Sequence, residues 1–349
     1  MIAVQILGLA LIVAVAWDAA VTVLHPDREG LLATAVRRVV WSATTRLSTR
    51  LGTFVFALAG PAMLACTFLG WILLAIVGLA LAVWRLLDTD FAVQTPLGTP
   101  DFADALYYAA GTITVLGYGD LTPLSTQAQL ISVFGAGVGF TMFTGMATYV
   151  IEVVGGVATR NRFTLALHDD ARGQGGVTML TDCLAEAGVD ETRERCRSWA
   201  EHLRAVDEMA HRYPLVAFTY RSRRPEYDPE RALRHVAEAT VTALVAAEYA
   251  PGLRTAAEAL CSAQARMQCT VAEIYLGDAV TRRLADPVPS ERDRAAVSLV
   301  DDSLAAALGV PVSQAEHRRA VDTACRTRIF LEGLHRWSRS DPPQHEWSP

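Results

Sequence analysis

Three long stretches of the chain lack the polar interruptions of a water-facing helix. Residues 2–24 are apolar apart from Gln5 and Asp18, residues 51–84 carry no charge, and residues 121–151 carry none either. At ~1.5 Å per residue each is long enough to cross ~30 Å of hydrocarbon, so the pattern predicts three transmembrane helices. The middle stretch is longer than one span needs. Gly60-Pro61 is expected to break or kink it, because proline lacks the helix donor. This gives an interfacial lead-in over 51–60 and an outer helix over 61–84. The third span is expected as an inner helix over 126–158, with Gly135, Gly137, Gly139 and Gly145 marking close helix packing or a bend. Beyond Arg162 the period changes to that of water-facing amphipathic helices. Cys196, Trp199, Leu203 and Met209 share a face, and Asp228-Pro229 supplies an N-cap and first-turn pair. Helices are expected over 177–187, 191–212, 229–250, 253–284 (with Gly277 as punctuation), 292–308 and 313–336. The class is therefore all-α. The first transmembrane helix is 1–24, a linker follows at 25–50, and a region with two further spans covers 51–162. A helical domain fills 163–338, and a frayed tail rich in Pro, Ser and charge closes the chain at 339–349.

Charge gives this pattern an orientation. Residues 1–159 hold six Arg and nine acidic residues, and residues 160–349 hold 25 Arg and 28 acidic residues, so the second part is the one suited to water. Both parts are slightly acidic, which argues against a nucleic-acid partner. The 25–50 linker carries Arg28, Arg37, Arg38, Arg46 and Arg50 against Asp27 and Glu29, and so marks the cytoplasmic side. Arg37, Trp41 and Leu47 suit a helix lying in the interface, against membrane lipid. Residues 85–126 have one Arg and five Asp, which places them outside. The N-terminus is then outside and the helical domain cytoplasmic, in a multi-pass protein of the plasma membrane. Ala14-Val15-Ala16 could pass for a signal-peptidase site, but no basic residue precedes the apolar run, so 1–24 is read as a retained span. Asp18 is either a functional intramembrane carboxylate or an interfacial residue facing other helices; the second reading is preferred.

Candidate chemistry concentrates in Thr112-Ile113-Thr114-Val115-Leu116-Gly117-Tyr118-Gly119-Asp120. Alternating glycines let successive carbonyls turn to one side. Irregular backbone at membrane depth is tolerated only in a wet cavity or buried in protein, and a row of carbonyls can replace a cation's water shell. A preceding helix over 101–113, started by Thr99-Pro100-Asp101, would aim the negative end of its dipole at a central cavity. His168-Asp169-Asp170 reads as a solvated cap rather than a metal site. The six cysteines show no ligand spacing and are expected as free thiols. No nucleophile–base pattern or phosphate loop stands out, so no enzyme, metal or cofactor is expected beyond a permeant cation.

The motif resembles the selectivity filter of the potassium-channel pore family, and the resemblance runs from about Phe54 to Arg162. It implies passive potassium conduction, with Thr114, Val115, Leu116, Gly117, Tyr118, Gly119 and Asp120 forming the ion-binding filter at 114–120. Tyr107 and Tyr108 would be the aromatic cuff behind it, and Gly139, twenty residues after Gly119, the inner-helix hinge. One filter per chain implies a homotetramer. Two positions depart from the family. Val115 stands where a threonine hydroxyl usually forms the innermost ligand ring, the threonine being displaced to Thr114. Gly111 stands where many members have a glutamate bonded to the filter aspartate. Val115 opens the alternative of a weakly selective cation channel, and the large helical domain that of a non-conducting sensor or scaffold. A nucleotide-fold regulator is not expected, since Gly173-Gln174-Gly175-Gly176 lacks the third spaced glycine. A voltage sensor is not expected either, since the second span carries no regularly spaced Arg.

Overall fold

The computed structural model describes residues 2–25, 28–93, 100–313 and 315–338. Asp27, Thr99 and the expected tail at 339–349 lie outside the described residues. The chain forms two compact units, one up to Val154 and one from Gly155 onward. Three helices are long and apolar enough to cross a membrane, in Ile2–Leu24, Phe56–Asp90 and Thr126–Ala171. The protein is therefore an all-α membrane protein.

In the first unit, α1 (Ile2–Leu24) packs along α3 (Phe56–Val83), with α2 (Leu31–Leu51) beside them. The α1–α3 crossing is set by glycine. A Cβ on Gly8 would lie 2.4 Å from the Gly78 carbonyl oxygen, so only glycine lets the two backbones meet there. Asp18 fixes the other end. Its carboxylate accepts the Trp71 indole N–H at 2.8 Å and the Leu32 backbone N–H at 3.0 Å. Leu32 is in the first turn of α2, where backbone donors lack helical partners, so Asp18 caps α2 from a neighbouring helix. Asp18 thus faces other helices, and Trp71 is wholly buried against it.

Two boundaries differ from expectation. Residues 56–60 are already helical, and Pro61 lies inside α3 without breaking the run. Pro61 is the sixth residue of α3, past the first turn, so it removes one bond of the helical ladder without ending the helix. The inner helix does not end at 158. It continues as α5 to Ala171, through the Gly155-Gly156 pair. Between α3 and α5 lie the pore helix α4 (Phe102–Ile113) and a short antiparallel ribbon of β1 (Phe91–Val93) and β2 (Leu121–Pro123). The ribbon pairs Phe91 with Pro123 and was not expected from the sequence.

The second unit contains α6 (Gly176–Asp182), α7 (Gly188–Arg212), α8 (Pro229–Tyr249), α9 (Arg254–Val271), α10 (Asp278–Ala285), α11 (Glu291–Leu308) and α12 (Arg318–Ser338). Helix α8 is its axis, buried on nearly every face from Pro229 to Ala247. Asp228 caps α8 by accepting the Glu230 N–H at 3.0 Å, with Pro229 at the first turn as the sequence implied. The expected 253–284 helix is two helices, divided at Gly277, whose φ is +83°. Arg160, on the part of α5 within this unit, donates to the Ala217 and Tyr220 carbonyls at 2.6 and 2.7 Å. That tie satisfies carbonyls at the end of the 213–220 turns.

Candidate functional site

The filter begins where the pore helix is held. Asp101 accepts the Ala103 and Asp104 N–H groups at 2.7 and 3.1 Å, and Asp104 returns a bond to the Asp101 N–H at 2.9 Å. This reciprocal capping box fixes the start of α4. At the other end, Thr114 leaves helical geometry (φ −81°, ψ 0°) and its N–H closes the last turn on the Ala110 carbonyl.

From there the backbone alternates. φ is positive at Val115 (+59°), Gly117 (+55°) and Gly119 (+81°), and not at Leu116 or Tyr118. Alternating left- and right-handed residues flip successive peptide planes, so carbonyls gather on one side and N–H groups on the other. Glycine adopts the left-handed region freely, whereas valine is strained there. The N–H side is anchored to the pore helix. Val115 donates to the Thr112 carbonyl at 3.1 Å, and Leu116 and Gly117 both donate to the Gly111 carbonyl, at 2.8 and 3.3 Å. Among the described residues the carbonyls of Val115, Leu116, Gly117 and Tyr118 accept no hydrogen bond within the chain. Backbone carbonyls without a partner in the chain are left to water or an ion, so four in succession can serve as cation ligands.

The side chains have separated roles. Thr114 does not replace the missing threonine hydroxyl at position 115. Its Oγ1 donates to the Ala110 carbonyl at 2.6 Å, so its side chain braces the end of the pore helix. Tyr107 faces the filter. Its ring stacks on Tyr118, with centroids 5.8 Å apart and planes 7° from parallel, and its hydroxyl lies on the side of the Asp120 carboxylate. Asp120 accepts its neighbour Leu121's N–H at 3.1 Å. The carboxylate therefore has a backbone donor without a pore-helix glutamate, and Gly111 has only the Tyr118 ring within reach of a Cβ. Tyr108 faces the opposite way. Its hydroxyl donates to Ser132 on α5 at 2.6 Å, and Phe91 packs edge-on against its ring at 5.0 Å. The expected cuff thus divides: Tyr107 holds the filter, and Tyr108 holds the pore helix to α5 and the ribbon. The Gly119 carbonyl accepts the Thr122 hydroxyl at 3.2 Å, which sets it apart from the four free carbonyls before it.

Gly139 receives a contact that spacing alone did not reveal. A Cβ there would lie 2.1 Å from the Ile113 carbonyl oxygen and 2.9 Å from its carbonyl carbon and Cα. The inner helix therefore touches the backbone at the end of the pore helix at this glycine. Ser132, Phe91 and the Ile113–Gly139 contact were missed in the sequence, since each depends on segments brought together only by folding.

Residues 72–155 match a family model described as an ion channel. Over 59 residues the chain is 41% identical to two-pore potassium channel 2 of Arabidopsis thaliana, covering 16% of this chain and 13% of that one. Over 97 residues it is 32% identical to two pore potassium channel c of Oryza sativa subsp. japonica, covering 27% of this chain and 21% of that one. The chain thus matches about a fifth or less of the length of these relatives. No solved structure matches. The pore segment is thus similar to those of ion channels, the two potassium channels among them.

Proposed function

We propose that the chain is one subunit of a homotetrameric potassium channel, and that Val115, Leu116, Gly117 and Tyr118 supply the carbonyl rings through which dehydrated potassium passes. The observation that carries this reading is the run of four carbonyls with no partner in the chain, on a backbone whose handedness alternates. One chain offers one wall of such a cage, and four around an axis close it. Val115, Leu116 and Tyr118 are more than half exposed in the single chain, as expected for walls that meet only in the assembly. Helix α4 ends at the start of the filter, and the negative end of its dipole favours a cation in the cavity there.

In this reading the acidic loops lie outside, the arginine-rich α2 and the second unit lie in the cytoplasm, and the protein resides in the plasma membrane. Gly119 and Asp120 shape the outer mouth, Tyr107 holds it, and gating occurs near the inner ends of the third spans, with Gly139 as the bend. The test is potassium flux in liposomes combined with subunit counting. Four subunits and a flux lost on Gly117→Asp are expected. Conduction by monomers or dimers, or flux indifferent to Gly117→Asp, would contradict the proposal.

A second reading is favoured by one feature. Val115 brings no side-chain oxygen, and the Thr114 hydroxyl is turned onto the Ala110 carbonyl. The innermost hydroxyl ring is then absent, and the channel would discriminate weakly between potassium and sodium.

A further inference from the structure

The second unit holds a groove whose chemistry conduction does not use. It lies between α9 and α12 and encloses about 450 Å³. Gln264 and Gln268 face it from α9, and Arg319, Asp322 and Arg326 face it from α12, each set at three-, four- or seven-residue spacing on one helix face. Both glutamines are essentially buried, at 1% and 2% exposure. The Gln264 amide nitrogen donates to Thr327 Oγ1 at 3.1 Å, while its buried oxygen has no hydrogen-bond partner among the described residues. An unpaired buried amide oxygen costs about 1–3 kcal/mol unless something donates to it. Above it, Arg319 and Arg326 have no carboxylate partner among the described residues, and a third arginine at the rim, Arg318, pairs with Glu316 at 2.6 Å.

We propose that this groove binds a small phosphate monoester that also carries hydroxyl or amino donors, such as a nucleoside monophosphate or a sugar phosphate. Two unpaired guanidiniums supply planar donors suited to phosphate oxygens. The Gln264 oxygen is an acceptor placed for the donor part of the same molecule. The volume suits a ligand of this size and is larger than a simple inorganic anion fills. A long polyanion is disfavoured, because residues 160–349 carry 28 acidic residues against 25 arginines. The proposal concerns binding by the second unit and stands apart from whether the pore conducts.

Calorimetric titration of the full chain in detergent tests it, with AMP and glucose 6-phosphate as probes and inorganic phosphate, adenosine and glucose as their separate halves. At least one monoester binds more tightly than inorganic phosphate, and neither uncharged half binds. The double variant Arg319→Ala with Arg326→Ala weakens that binding by at least about tenfold, whereas Arg336→Ala, which removes one positive charge further along α12, leaves it within about twofold. Gln264→Met, of similar volume, reduces the monoester's advantage over inorganic phosphate. Absence of binding at millimolar probe overturns the proposal, and so does binding that survives the double variant. A change of oligomeric size in the double variant without ligand also overturns it, since the arginines would then hold another copy of the chain.

Discussion

Replacing Gly139 by alanine separates two roles that the position can have. The added Cβ would stand 2.1 Å from the Ile113 carbonyl oxygen and 2.9 Å from the carbon that bears it. Non-bonded carbons rest at ~3.5–4.0 Å, so the inner helix and the end of the pore helix must part by roughly 1 Å. No flexible side chain can give way, because the contacted atoms are backbone and the filter starts one residue later. Overpacking of this kind costs ~1–3 kcal/mol, and in a tetramer it would act four times. Gly145→Ala, six residues on, is the matched control. Its Cβ would meet only the Val23 methyl at 3.9 Å, an ordinary contact. The assay is thermal unfolding and liposome flux on both variants. Gly139→Ala is expected to unfold at lower temperature and to lose potassium flux, with Gly145→Ala close to the parent in unfolding temperature. If Gly139 were only a hinge, alanine would change how often the channel opens and leave stability alone. Equal stability and flux for the two variants would refute the packing argument.

Other substitutions probe the braces. Tyr107→Phe keeps the stack on Tyr118 but removes the hydroxyl beside Asp120; single-channel recordings are expected to show faster loss of conduction during sustained opening, and an unchanged time course would contradict that role. Asp18→Ala leaves the Trp71 and Leu32 donors without an acceptor, at about 1–3 kcal/mol each, so thermal unfolding should fall well below that of Asp18→Asn, which keeps one acceptor oxygen; equal melting of the two would sink the capping argument. In the second unit, burial first, then Arg231, Arg234 and His168, push the His235 imidazole down from an ordinary 6.5 to about 4. The unfolded chain takes up that proton first, so the associated stability, at most about 3 kcal/mol, is complete above pH 6.5 and is lost as pH falls through about 4. Denaturant titrations across this range check it, and His235→Gln should flatten the slope.

What the sequence disclosed depended on how far apart the responsible residues lie. The spans, the pore helix start at Asp101 and the α8 start at Asp228-Pro229 are written in runs of neighbours, and each is found close to where the pattern puts it. Gly117 and Gly119 announced two left-handed residues of the filter. Val115, the third, did not, because a β-branched residue argues against that conformation until the pore helix carbonyls that anchor the filter are in place. Asp18 was legible as a costly carboxylate, but its partners are Leu32 and Trp71, fourteen and fifty-three residues away. Tyr107 and Tyr108 look equivalent in the sequence, yet successive helical residues point about 100° apart, so one meets the filter and the other α5. Gly139 matched a hinge by spacing alone, and only the approach of Ile113 gives it a contact.

Free carbonyls at Val115–Tyr118 are proposed to select potassium even without an inner hydroxyl ring. The reversal potential under opposed potassium and sodium gradients, measured on the parent protein in liposomes, tests it most directly. A strong shift toward the potassium equilibrium potential is predicted, with Val115→Thr holding or increasing it. A permeability ratio near one for the parent would contradict potassium selectivity and leave a weakly selective cation pore.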